Sequence, residues 1–166
     1  IRVEIEALCD LNRWKEITDR FQDKVSELPE ELLLRLGHAC LAQSRPDLLQ
    51  IARDELARRT ESETTRHVSN MLRHLHWDLL LQVGDAATVR HELEEASVTP
   101  QSQSVVDLYF ASRAYQSDEA MRNRIEDRVA ELAPVSSEPQ ELSMGARVMI
   151  CARRYDDAIG LLEKLL

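Results

Sequence analysis

Apolar residues in this chain fall at helical spacing, in stretches separated by short polar breaks. Val3, Ile5 and Leu8 mark a first helix that Leu11-Asn12-Arg13-Trp14 interrupts. Ile17, Phe21 and Val25 predict a second that runs on toward Leu28-Pro29, with Pro29 suited to the first turn of the next. Leu33, Leu36, Gly37 and Cys40 form a third, stopped at Ser44-Arg45-Pro46-Asp47, and Leu49, Ala52 and Leu56 a fourth, ending before Thr60-Glu61-Ser62. A long fifth helix is predicted from Thr64 to Val83. It is closed by Gly84, which suits a left-handed cap. Asp85 is placed to cap a sixth helix carrying Val89, Leu93 and Ala96. Beyond the turn at Val98-Thr99-Pro100, a seventh shows Val105, Leu108, Tyr109 and Ser112. Ser117-Asp118 opens an eighth with Met121, Ile125, Val129 and Leu132. Ala133 to Pro139, with two prolines around small polar residues, reads as a linker between repeats rather than between domains.

The stretch from Pro139 to Leu166 is a helix–turn–helix hairpin. Leu142, Ala146 and Met149 lie on its first helix, the break is Ala152 to Tyr155, and Ala158, Leu162 and Leu165 lie on its second. The same grammar recurs along the chain. The residues expected to face the partner helix, Ile17, Leu49, Val89, Met121 and Ala158, are separated by 32, 40, 32 and 37 positions. A hairpin with one apolar stripe cannot bury it alone, so recurrence at this period predicts stacked hairpins. Short connections demand antiparallel neighbours, and a coiled coil has no use for turn signals at this interval. The expected fold is therefore all-α: a solenoid of about five hairpins forming a single domain over residues 1–166.

In these features the chain resembles the tetratricopeptide repeat (TPR) family. That repeat has a small residue midway along its first helix, a Gly-Asp or aromatic turn, Ala early in its second helix and Pro near its end. Ala146, Tyr155, Ala158, Leu162 and Leu165 match it best. Trp14, Ile17, Phe21 and Pro29 follow, as do Gly84-Asp85, Val89, Leu93, Ala96 and Pro100. The repeats are degenerate, since one copy has Gly37 but a Pro-interrupted turn and another has Met121 and Ile125 in place of Ala and an aromatic. The resemblance implies a right-handed superhelix that binds a peptide or protein in a concave groove lined by the first helices of the hairpins. The groove positions map to Glu6, Cys9, Leu34, His38, Leu41, His74, Asp78 and Leu81, then to Val106, Phe110, Arg113, Arg147 and Ile150. TPR domains that clamp a terminal carboxylate use Lys, Asn and Arg here. Leu34, His38, His74, Asp78 and Phe110 in those slots argue against such a clamp.

Composition agrees with helices, because there are only 4 Gly and 5 Pro in 166 residues. Charge narrows the partner class: 30 acids against 21 bases give −9, which disfavours nucleic acid and anionic membrane, both of which need clustered Lys and Arg. No apolar run is long enough for a membrane span, and no signal peptide is evident, so a cytoplasmic location is expected. Cys9, Cys40 and Cys151 are few and far apart, and are expected to be buried, reduced thiols. The start at Ile1, already inside a periodic stretch, suggests a piece of a longer protein. The apolar first and last helices then predict self-association through the solenoid ends.

Candidate chemistry adds little. His67, His74, His76 and His91 are expected on a partly exposed histidine-rich face, without the spacing of a zinc site. Trp77 is expected in the core. Arg122, Arg124 and Arg128 with Glu126, Asp127 and Glu131 form a solvated mixed-charge face, and Asp156-Asp157 complements a helix N-terminus. No nucleophile elbow, phosphate loop or dinucleotide motif is present, so no catalytic residue, cofactor or metal is expected. The sequence reads as a non-enzymatic protein-interaction module. Its expected contact residues are His38, Leu41, His74, Asp78, Leu81, Phe110, Arg113 and Arg147, with Phe110 and Arg113 as anchors. The alternative is a regulatory or sensor repeat segment of a multidomain signalling protein or transcription regulator.

Overall fold

The computed structural model describes residues 1–166 as ten α-helices with no strand. They are α1 (Arg2–Asp10), α2 (Trp14–Phe21), α3 (Glu30–Ala42), α4 (Pro46–Ala57), α5 (Glu63–Gln82), α6 (Ala86–Glu95), α7 (Val105–Ala114), α8 (Glu119–Leu132), α9 (Pro139–Cys151) and α10 (Tyr155–Glu163). Short 3₁₀ segments follow α2 (Gln22–Glu27) and α8 (Ala133–Val135). The chain forms two compact units, Ile1–Val83 with α1 to α5 and Gly84–Leu166 with α6 to α10.

Each unit has the same internal logic. In the first, α1 packs on α2 and α3, α2 on α3, α3 on α4 and α5, and α4 on α5. In the second, α6 packs on α7, α7 on α8 and α9, α8 on α9, and α9 on α10. Odd helices thus lie side by side and even helices sit against their odd neighbours, so every contact is between near neighbours in sequence. Ile17, Leu49, Val89 and Ala158 are buried where the periodicity places them; on α8, Ile125 and Val129 take that role and Met121 is half-buried.

Several turns between consecutive helices repeat down to the backbone. Asn12 (φ 54°), Ser44 (φ 52°), Gly84 (φ 86°) and Arg153 (φ 60°) are all left-handed, directly after α1, α3, α5 and α9. The next residue, Arg13, Arg45, Asp85 or Arg154, caps the following helix with φ between −86° and −110° and ψ between 55° and 72°. In three of these turns the chain closes with paired reverse bonds: Arg13 N–H to Leu8 O, Arg45 N–H to Cys40 O and Arg154 N–H to Met149 O span the loop. Each is accompanied by a bond from the left-handed residue to the carbonyl three back. This arrangement satisfies carbonyls that the helix end leaves free. Of the four left-handed residues, only Gly84 takes that conformation without the steric penalty of a Cβ.

The three capping arginines share a further trait. Arg13 pairs with Glu16, Arg45 with Asp47 at 2.8 Å, and Arg154 with Asp157 at 2.7 Å. The guanidinium folds over the first turn of its own helix onto a carboxylate already favoured there by the helix dipole. At the fourth turn, Asp85 instead accepts from Thr88 N–H at 3.1 Å. The sequence signal was Arg at the cap followed two or three residues later by an acid, a pattern the periodicity does not reveal.

Several expectations change on folding. The second helix ends at Phe21 and continues as a 3₁₀ segment. Winding at three residues per turn puts Val25 and Leu28, at 5% and 1% exposure, on one face. The expected linker begins in the core: Ala133 is fully buried, its Cβ only 2.6 Å from where a Cβ on Gly145 would lie. On α10 the buried register is Ala158 and Leu161 rather than Ala158, Leu162 and Leu165. Leu161 is the residue that reaches Gly145 of α9. On α1, Ile5 and Leu8 are buried but Val3 is 79% exposed.

Candidate binding surface

In the first unit α3 and α5 lie side by side, and each keeps one stripe out of the core. On α3 it consists of Leu34, His38 and Leu41: His38 is exposed, and the two leucines are half-buried against the core. On α5 it consists of His74, Asp78 and Leu81, all half-buried. The four- and three-residue steps keep each set on one side of its helix. Although the residue is exposed, partial desolvation of its ring, and then the nearby Arg35 cation, lower the His38 pKa and favour the uncharged ring. Asp78 accepts from Gln82 Nε2 at 3.2 Å. His74 lies 5.6 Å from the Trp77 ring, and the Arg73 guanidinium sits 5.0 Å from that ring. Trp77 itself is fully buried, as expected.

The corresponding stripe on α7 differs from expectation. Phe110 is only 2% exposed and Val106 only 8%, so the Phe110 ring serves packing and presents no anchor to a ligand. Its residue type suggested a hot spot, but an apolar ring at this spacing is covered as readily as displayed. Arg113 is half-buried, donates to Tyr109 Oη at 3.3 Å and lies 5.6 Å from the Tyr109 ring. Beside it on α9, Arg147 and Ile150 are exposed.

The histidines do not form one face. His76 is 5% exposed, and Arg53 Nη1 lies 2.5 Å from its Nδ1. A guanidinium can only donate, so in this contact Nδ1 accepts. His67 and His91 are exposed, and His91 approaches Glu95 at 3.5 Å. No three His, Cys, Asp or Glu side chains converge as a metal-binding group. The mixed-charge face of α8 is laced as its spacing predicts, by Arg122–Glu126 at 3.4 Å and Arg128–Glu131 at 2.8 Å. Together with Pro100, Gln101 and Gln103, its residues Arg124, Asp127, Arg128 and Glu131 border a polar cleft of about 460 Å³.

The cysteines also divide. Only Cys40 is buried, whereas Cys9 is half-buried and Cys151 exposed, and none is in a disulfide. The expectation of three buried thiols fails because Cys9 is only partly covered where it packs against the core, and Cys151 is exposed at the end of α9. Burial pushes the Cys40 thiol up to about 12 and raises that of Cys9 as well. Since the thiolate is the reactive form, alkylation at pH 8 should label Cys151 first, Cys9 more slowly and Cys40 only on unfolding. Peptide mapping over a time course reads this directly. Labelling of Cys40 as fast as Cys151 would show that α3 opens freely.

No helix is long and apolar enough to cross a membrane. Comparison with protein families, with curated proteins and with solved structures finds no match to this chain.

Proposed function

We propose that the chain is a TPR-like right-handed α-solenoid of five hairpins serving as a non-enzymatic protein-interaction module. Its odd-numbered helices take a peptide or protein segment. The observation that carries this reading is the repeated pairing of odd helices, which keeps side chains of mixed chemistry at groove spacing outside the core. In the first unit these are His38, Leu41, His74, Asp78 and Leu81; in the second, Arg113 and Arg147, while Phe110 is buried. The set combines half-buried apolar surface, imidazoles, a carboxylate and cations, a mixture suited to peptide recognition. The net charge of −9 favours a protein partner over nucleic acid.

The test is site-specific photo-cross-linking in an extract of the source cells. A photoreactive residue at position 41, 81 or 147 is expected to capture one common protein, and His38→Ala or Arg147→Ala to weaken that capture. Cross-links formed only from even-helix positions such as Arg122 or Glu126 would overturn the proposal.

A further inference from the structure

A second surface lies on α10, on residues that are not among those assigned to the groove. Tyr155, Ile159 and Leu162 follow one another at four and three residues and are 57%, 53% and 43% exposed. Alongside them, Asp156 and Glu163 share a second stripe, each within one helical turn of Ile159, and both are exposed. Neither is in an ion pair, because the nearby cations are engaged elsewhere or displaced. Arg154 is taken by Asp157 and Asp127, Lys164 donates to the Pro134 carbonyl, and Arg153 stays in the turn before the helix.

Gly160 lies between Asp156 and Glu163. A glycine inside a helix is less favourable than alanine. At Gly37 and Gly145 that cost has a visible cause, since an added Cβ would come within 2.6 Å of a neighbour. At Gly160 nothing lies within 4 Å. Among residues 1–166 nothing approaches the bare backbone there, and a helix packed onto this face would come close at that point.

We infer that this face of α10 docks a basic amphipathic helix of a partner protein. Its leucine-type stripe would cover Tyr155, Ile159 and Leu162, and its Lys or Arg flank would meet Asp156 and Glu163. The charges argue against a second copy of this chain as occupant. In a two-fold antiparallel pairing of α10 with itself, the same flanks meet, which sets Asp156 beside the other copy's Glu163. A basic helix removes that repulsion and pairs two carboxylates that the chain leaves unpaired.

The probe is a fluorescein-labelled synthetic helix with Leu at i, i+3, i+4 and i+7 positions and Lys on the flanks, measured by anisotropy. A dissociation constant on the order of 10 µM is expected, weakening as salt is raised. Ile159→Asp should weaken binding roughly tenfold or more, and the pair Asp156→Lys with Glu163→Lys should do likewise. That double variant should also gain binding to a Glu-flanked version of the probe. Gly160→Ala is expected to raise the melting temperature yet lower affinity, a split that a purely structural glycine would not produce. Arg147→Ala should leave this binding unchanged, which separates it from the groove. Equal binding of a scrambled peptide, or no effect of charge reversal in variants with native circular dichroism, would overturn the proposal. So would a concentration-dependent dimer abolished by Ile159→Asp, which would assign the face to a second copy.

Discussion

Replacing Phe21 with alanine should destabilise the protein by about 3–5 kcal/mol, the range for deleting a buried aromatic ring. Phe21 is 1% exposed at the end of α2, in a cluster with Ile5, Leu8, Ile17, Val25, Leu28, Leu32 and Leu36. It stands where the α-helix passes into the 3₁₀ segment, so its ring is shared by α2 and by the turn that brings Val25 and Leu28 inward. Three helices and a 3₁₀ segment hold the site, which leaves little room for collapse onto the vacancy. Phe21→Leu should recover most of the loss by keeping most of the volume. Urea denaturation followed by circular dichroism measures both. A Phe21→Ala midpoint within error of the wild type would show that this cluster does not hold the first unit together.

The glycines provide the second large effect, with opposite signs at different sites. A Cβ on Gly145 would come to 2.6 Å from Ala133 Cβ and 3.3 Å from Leu161 Cδ1. Ala133 Cβ is fixed to the backbone and cannot rotate away. Gly145→Ala should therefore lose about 1–2 kcal/mol even after the gain in helix propensity, and Gly145→Leu about 3 kcal/mol or more. Gly37 meets Leu72 Cδ2 at the same 2.6 Å, but that atom is the tip of a flexible side chain, so Gly37→Ala should cost less. Gly160→Ala has open space and should stabilise by about 0.5–1 kcal/mol. The expected stability order is Gly160→Ala above wild type, then Gly37→Ala, then Gly145→Ala. A Gly145→Ala protein as stable as the wild type would mean that α9 and the segment at Ala133 are not in close contact.

For the proposed groove, the sequence could place His38 with Leu41 and His74 with Asp78 and Leu81 on single helix faces, because a stripe at four- and three-residue steps is a local property of a helix. Whether each member is displayed was not. Phe110 and His76 looked alike in sequence to their neighbours and are both covered, whereas Cys151 and Ile150 are not. The capping arginines were missed for a different reason. Their role depends on a left-handed residue just before them, and Asn12, Ser44 and Arg153 carry no glycine to announce it.

The sequence by itself determined that this chain is helical and roughly where most of its helices begin and end. These follow from periodicity, caps and prolines, which act within a few residues. Only the tertiary structure decided which part of each apolar stripe is buried. A stripe such as Ala158, Leu161, Leu162 and Leu165 is wider than the contact one neighbouring helix makes, so several registers satisfy the pattern. The choice falls to residues far away in the chain: Gly145 lets α9 sit against Ala133 and receive Leu161, and this leaves Leu162 facing out. Close packing makes that choice, because the burial of one side chain depends on the volume of those it meets.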